Sequence, residues 1–180
     1  MLKKPFSQLV LITTALVLGL NLNGFAQRSN NLNYVNPFIG TTKSNVLTKW
    51  GNDGGTFPGA VAPSGAIQLS PETRVTGNRG YDYADSNIYY FSCFNHFSGF
   101  PGGSSGQFYV VPVSGSGNFE AGKFSRPFFH KNEMAYPGYY KVVFNDDQTI
   151  AEATATTRAG MFRFTFRANV IPQIFIGEAG

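Results

Sequence analysis

Alternation of apolar and polar positions is the strongest signal along this chain. In Met161-Phe162-Arg163-Phe164-Thr165-Phe166, the residues Phe162, Phe164 and Phe166 fall on one side and Arg163 and Thr165 on the other. That is the period-two signature of a half-buried strand. Tyr139 to Phe144 reads as a strand ending at the turn Asn145-Asp146-Asp147, and Ile150 to Thr157 is expected to return beside it as a hairpin, with small residues alternating. Gln107 to Val111, β-branched and aromatic, predicts another strand, with Pro112 marking its end or an edge position. Ile88 to Ser92 predicts a strand, and Tyr34 to Gly40 a short edge strand stopped by proline. Gln173 to Ile176 predicts a further strand after Pro172, with little chain beyond it to supply a neighbour.

Between Gly51 and Thr73 glycine and proline recur too often for a long helix, because each is costly in a helix interior. There the sequence predicts a tight loop, a short strand ending at Ala62, a turn at Pro63-Ser64-Gly65 and a second strand from Ala66 to Leu69. Thr41 to Trp50 has no clean periodicity. The expected class is all-β, an antiparallel β-sandwich incomplete at its C-terminus.

The start of the chain follows different rules. Lys3 and Lys4 form a basic beginning, Leu9 to Leu20 an apolar run, and Gly24-Phe25-Ala26 a small-residue cleavage site. This is the pattern of a secretory leader, and its apolar run falls short of the roughly 20 residues that span a bilayer. Residues 1–26 are therefore expected to be a signal peptide cleaved near Ala26, with no membrane span elsewhere and export to the periplasm or the outside. The sequence places the sandwich domain in residues 27–180, a length of about 150 residues that suits one domain.

Composition sharpens this picture. Aromatic residues make up 16% of the chain and charged residues only 13%, which suits an aromatic core between thick sheets. The formal charge of +4 includes Lys3 and Lys4, so the chain beyond the leader carries two fewer positive charges. That balance is too small and too scattered for a nucleic-acid footprint. Cys93 is the only cysteine, which rules out an internal disulfide and suits a small buried hydrophobe.

Several constellations could carry chemistry. Gly102-Gly103-Ser104-Ser105-Gly106 matches the G-x-S-x-G pattern of serine hydrolases, but that chemistry needs a strand-to-helix turn and here a strand follows. Asp82, Asp85 and Asn87 offer hard oxygen at close spacing without a calcium-binding loop around them. His96 and His130 lack the spacing of a zinc site. A sugar site is the better chemical match. Aromatic faces with nearby carboxylates and amides bind paired hydroxyls, and Trp50, Asn52, Asp53, Phe57, Tyr81, Asp82, Tyr83, Asn95 and His96 supply those groups on loops that a sandwich would position. Taken singly, Tyr81 and Tyr83 suit the core better than a ligand contact.

The ordered motifs resemble a known family. Tyr34-Val35-Asn36-Pro37-Phe38-Ile39-Gly40-Thr41, Thr56-Phe57-Pro58-Gly59-Ala60 and Pro63-Ser64-Gly65-Ala66-Ile67-Gln68-Leu69-Ser70-Pro71 look like the start of glycoside hydrolase family 92, exported bacterial exo-α-mannosidases. Gly80-Tyr81-Asp82-Tyr83-Ala84-Asp85, Asn95-His96-Phe97-Ser98-Gly99, Pro137-Gly138-Tyr139-Tyr140-Lys141-Val142 and Ala153 to Gly160 continue the match in order.

The resemblance implies a calcium-dependent, inverting enzyme in which a β-sandwich precedes a larger (α/α)6 barrel. The acid, the base and most calcium ligands would belong to the barrel, and α-mannoside glycans would be the substrate. This chain is too short to contain that barrel, so the resemblance implies no catalytic and no metal-ligating residue here. It implies instead substrate-binding loops, with Asn52, Asp53, Thr56, Phe57, Tyr81, Asp82, Tyr83 and His96 as the candidate residues. The sequence departs from the family pattern after Ser98-Gly99, where a cysteine and an acidic pair are usual, and at Phe162, where histidine is common. A free-standing exported carbohydrate-binding module is the alternative expectation.

Overall fold

A computed structural model of the chain describes residues 31–47, 54–74, 80–94, 108–116, 119–120 and 123–178. The leader, the hydrolase-like Gly102 to Gly106 stretch, and the candidates Asn52, Asp53 and His96 lie outside them, as do Trp50 and Asn95.

The described residues form two five-stranded antiparallel sheets, as the alternation predicts. In chain order the strands are β1 (Ala60–Val61), β2 (Gln68–Glu72), β3 (Asn87–Ile88), β4 (Tyr90–Cys93), β5 (Phe108–Ser114), β6 (Arg126–Tyr136), β7 (Tyr139–Phe144), β8 (Ile150–Ala155), β9 (Gly160–Thr165) and β10 (Pro172–Glu178). One sheet runs β1-β2-β4-β5-β10 and the other β3-β6-β7-β8-β9.

The core lies between them and is organised by residue size. Tyr140, Val142 and Phe144 point inward from β7, while β8 presents only Ala151 and Ala153. Ala153 sits between Tyr140 on β7 and Phe162 on β9, and Ala151 between Val142 and Phe164. Small residues flanked by large ones leave room for Phe91 of the opposite sheet. Its ring lies within 6.3 Å of those of Tyr140, Phe144, Phe162 and Phe164. Cys93 is half-buried on the same core, and burial pushes its thiol up.

Three elements differ from the sequence expectation, each for a local reason. No edge strand forms over 34–40: Tyr34 ends a 3-10 helix (Asn31–Tyr34) and residues 37–40 form turns, in which the Asn36 side chain accepts the Phe38 N–H at 3.0 Å and the Asn36 carbonyl accepts that of Ile39. The stretch Ile88 to Ser92 is divided. Ile88 pairs with β6 in one sheet and Tyr90 begins the ladder of the other, with Tyr89 crossing between them. Of the two readings of Pro112, the edge position holds: it lies inside β5, not at its end. β4 pairs only with Phe108, Tyr109 and Val110, so at Pro112 the ladder has β10 on one side alone, where proline is tolerated. β10 itself does not want for a neighbour, since it pairs with β5 along seven residues.

The longest strand, β6, has no sequence counterpart in the period-two pattern. Phe128 faces Phe144, yet the next pair joins Glu133 to Val142, five steps along β6 against two along β7. That bulge shifts the alternation midway, so no unbroken period-two run marks the strand. A bulge also re-aims side chains. Here it turns both His130 and Glu133 toward the same neighbour.

Candidate functional site

The candidate residues of the described loops converge on the segment 37–42. The segment is held in place from two sides. Thr56 donates its N–H to the Gly40 carbonyl at 3.3 Å and its hydroxyl to the Ile39 carbonyl at 2.9 Å. Gly54 makes that approach possible, because a Cβ there would stand 2.0 Å from the Gly40 oxygen. On the other side Tyr83 donates its N–H to the Thr41 carbonyl, and the Thr42 hydroxyl donates to Asp82 Oδ1 at 2.9 Å. Phe57 is partly buried against the core, as is Phe38.

Asp82 is buried and its carboxylate is fully engaged. Oδ1 also accepts the Ala84 N–H at 2.8 Å, and Oδ2 is 2.6 Å from Nη2 of Arg74. The same guanidinium donates from Nε to Asp85 Oδ2 at 3.0 Å, which also takes the Thr73 hydroxyl at 2.9 Å. One arginine between two carboxylates braces the loop 80–86.

Beneath that loop lies a buried carboxylate. The Glu133 side chain is 0% exposed, and three groups converge on it. Tyr81 donates its hydroxyl to Oε2 at 2.9 Å, Tyr140 donates to Oε1 at 2.6 Å, and His130 Nδ1 lies 2.7 Å from Oε2. A carboxylate only accepts, so His130 carries a proton on Nδ1 toward Glu133. Burial pushes both phenols well above their usual range, and the Glu133 charge pushes in the same direction.

Tyr83 is different, with 41% of its surface exposed. Its ring stacks on the His130 imidazole at 4.0 Å between centroids and 17° between planes, and Phe38 meets it edge-on at 5.6 Å. His130 in turn rests edge-on against Phe128 at 5.1 Å. The result is an aromatic platform with a polar underside. Beside it, a groove of about 450 Å³ runs past Phe38, lined by Val35, Pro37, Met134 and Tyr136 among others.

The structure thus brings Thr56, Phe57, Tyr81, Asp82 and Tyr83 to one region, with distinct parts. Tyr81 and Asp82 are buried supports, Thr56 clamps backbone, and Tyr83 faces outward. Sequence reasoning missed Phe38, Arg74 and Glu133, and did not connect His130 with Tyr83. The short spacing of His130 and Glu133 is a sequence signal for that pair alone, and the β6 bulge hides it. Among the described residues no group of three or more His, Cys, Asp or Glu side chains could hold a metal ion. Asp82 and Asp85 are both paired with Arg74.

The fold and site define a β-sandwich domain with an aromatic loop cluster. The chain belongs to glycosyl hydrolase family 92: residues 34–178 match the model of its N-terminal domain. Solved structures agree. The GH92 α-mannosidase BT3965 from Bacteroides thetaiotaomicron, in complex with mannoimidazole, is 34% identical with a TM-score of 0.65, the match covering 75% of this chain and 18% of that one. The GH92 inverting mannosidase BT2199 from Bacteroides thetaiotaomicron VPI-5482 is 28% identical with a TM-score of 0.66, covering 81% and 19%. The GH92 glycosyl hydrolase ccman5 is 30% identical with a TM-score of 0.66, covering 83% and 21%. This chain therefore spans about a fifth of the length of these solved relatives. Among curated proteins none matches.

Proposed function

We propose that this chain is the sandwich part of an exported α-mannosidase-like glycoside hydrolase, lending loops to a mannose pocket without hydrolysing glycosides itself. The observation that carries the reading is the match to the family's N-terminal domain over 34–178, set against solved mannosidases of about five times the length. The chemistry of the site agrees with a binding role. Inversion needs an acid and a base carboxylate roughly 6.5–9.5 Å apart with room for a water. The carboxylates of this loop cluster have other work: Asp82 and Asp85 hold Arg74, and Glu133 is enclosed by two tyrosines and a histidine. What the site offers outward is the Tyr83 ring, a face for the C–H side of a sugar.

The remaining parts of the pocket, including calcium, would belong to a larger helical domain. Leu32, Tyr34, Val35, Ile39, Val46 and Leu47 are all exposed within a short segment next to the site, an apolar surface that such a domain would cover. Export follows from the basic and apolar pattern of residues 1–26. The test is an assay of residues 27–180 with an aryl α-mannoside, alongside titration with methyl α-mannoside followed by NMR. Binding without turnover is the expected result. Clear turnover would overturn the non-catalytic reading, and absence of any mannoside binding would overturn the pocket reading.

A further inference from the structure

We infer that His130 is a positioning residue for Tyr83, fixing that ring as a sugar platform, with the buried Glu133 carboxylate as its anchor. The inference rests on the pocket reading above and names the device behind it.

An exposed tyrosine on a loop rotates freely about its side-chain bonds, and immobilising such a side chain on binding weakens affinity. A ring already fixed in the free protein avoids that cost. Three contacts fix Tyr83. Its backbone N–H is tied to Thr41, its edge meets Phe38, and one face lies nearly parallel on the imidazole of His130. The first two belong to the same loop layer and would move with it. Only His130 belongs to the sheet, on β6, and it joins the platform to the rigid part of the fold.

The imidazole is itself held on two sides. Phe128 meets it edge-on at 5.1 Å, and Glu133 takes its Nδ1–H at 2.7 Å. Glu133 cannot swing away, because Tyr81 and Tyr140 occupy its two oxygens and its side chain is wholly buried. Such an enclosed carboxylate is costly unless every hydrogen bond is made. The β6 bulge puts both residues on one side despite their odd spacing of three. The two tyrosines meet part of the carboxylate's need for donors from within the core; the third contact reaches outward, to the ring beneath Tyr83.

The test compares His130→Ala, His130→Phe, Tyr83→Ala and the His130→Ala/Tyr83→Ala double variant with the unchanged chain. Methyl α-mannoside affinity and the Tyr83 ring-proton resonances are both read by NMR, and melting confirms folding. His130→Ala is expected to weaken mannoside about tenfold and to shift the Tyr83 ring resonances as the stacked ring is lost. His130→Phe keeps a ring beneath Tyr83 and is expected to restore part of the affinity. The double variant is expected to bind no worse than Tyr83→Ala, because His130 acts through that ring. Losses that multiply in the double variant would overturn the inference, as would His130→Ala binding like the unchanged chain. If the unchanged chain binds no mannoside, the pocket reading fails, and the ring resonances still decide whether His130 holds Tyr83: unchanged resonances in His130→Ala would overturn it.

Discussion

Arg126 shows how far a single side chain can be built into this molecule. It is 2% exposed, and its guanidinium donates from Nε and Nη2 to the two oxygens of Asp146, from Nη2 to Asp147, and from Nη1 to the Pro112 carbonyl. It also lies 4.1 Å over the Phe144 ring. Burial alone would push the Asp147 carboxyl up, but hydrogen bonds from Ser114 and Thr149 and the Arg126 charge overcome it and hold it at about 2. A carboxyl depressed in the folded state adds stability above its unfolded value near 3.8, and that stability fades as pH falls through about 2. Asp147→Asn is therefore expected to melt below the unchanged chain at pH 6, with the gap closing between pH 4 and pH 2 in thermal scans. A gap that persists unchanged at pH 2 would contradict this. None of this was visible in the sequence, where Asn145-Asp146-Asp147 is an ordinary turn. Tyr81 and Asp82 carry the same lesson. Their residue types suit a sugar, but whether a hydroxyl or carboxylate faces a ligand depends on Glu133 and Arg74, which the fold brings in from elsewhere in the chain.

At the level of elements, legibility followed regularity. The β7–β8 hairpin and β9 could be read directly, because their alternation runs unbroken against a single buried face. β6 could not, because its bulge breaks the period where the chemistry sits. The Ile88 to Ser92 run looked continuous because apolar residues do not reveal which of two sheets they join. The alanines of β8 give the regular part a sharp test. Ala153 is 2% exposed, between Tyr140 and Phe162 and beneath Phe91. Ala153→Leu would force large side chains off their preferred rotamers, at about 1–3 kcal/mol. The expected outcome is a lower melting temperature, while Thr154→Leu on the exposed side of the same strand should melt close to the unchanged chain. Equal melting of the two variants would mean that the alanines do not make room for the opposite sheet.

The two sheets meet through few large side chains, and Phe91 is central among them. It stands on β4, in one sheet, while the rings of Tyr140, Phe144, Phe162 and Phe164 all come from the other. The loop cluster depends on this meeting, because β2 leads into the loop that carries Tyr81 to Asp85 and β6 of the opposite sheet supplies His130 and Glu133. Loosening the sheets should therefore disturb the Tyr83 platform without touching it. Phe91→Ala removes a ring that is 1% exposed, and truncations of this kind cost about 3–5 kcal/mol. Phe129→Ala, on the outer face of β6 at 55% exposure, should cost little. In urea unfolding the first variant is expected to show a much lower midpoint and the second a midpoint near that of the unchanged chain. The Tyr83 ring resonances should broaden or shift in Phe91→Ala at urea concentrations where Phe129→Ala still shows them unmoved. Were they to survive in Phe91→Ala until global unfolding, the platform would be a property of its own loops, and the joining of the two sheets would have no part in shaping the site.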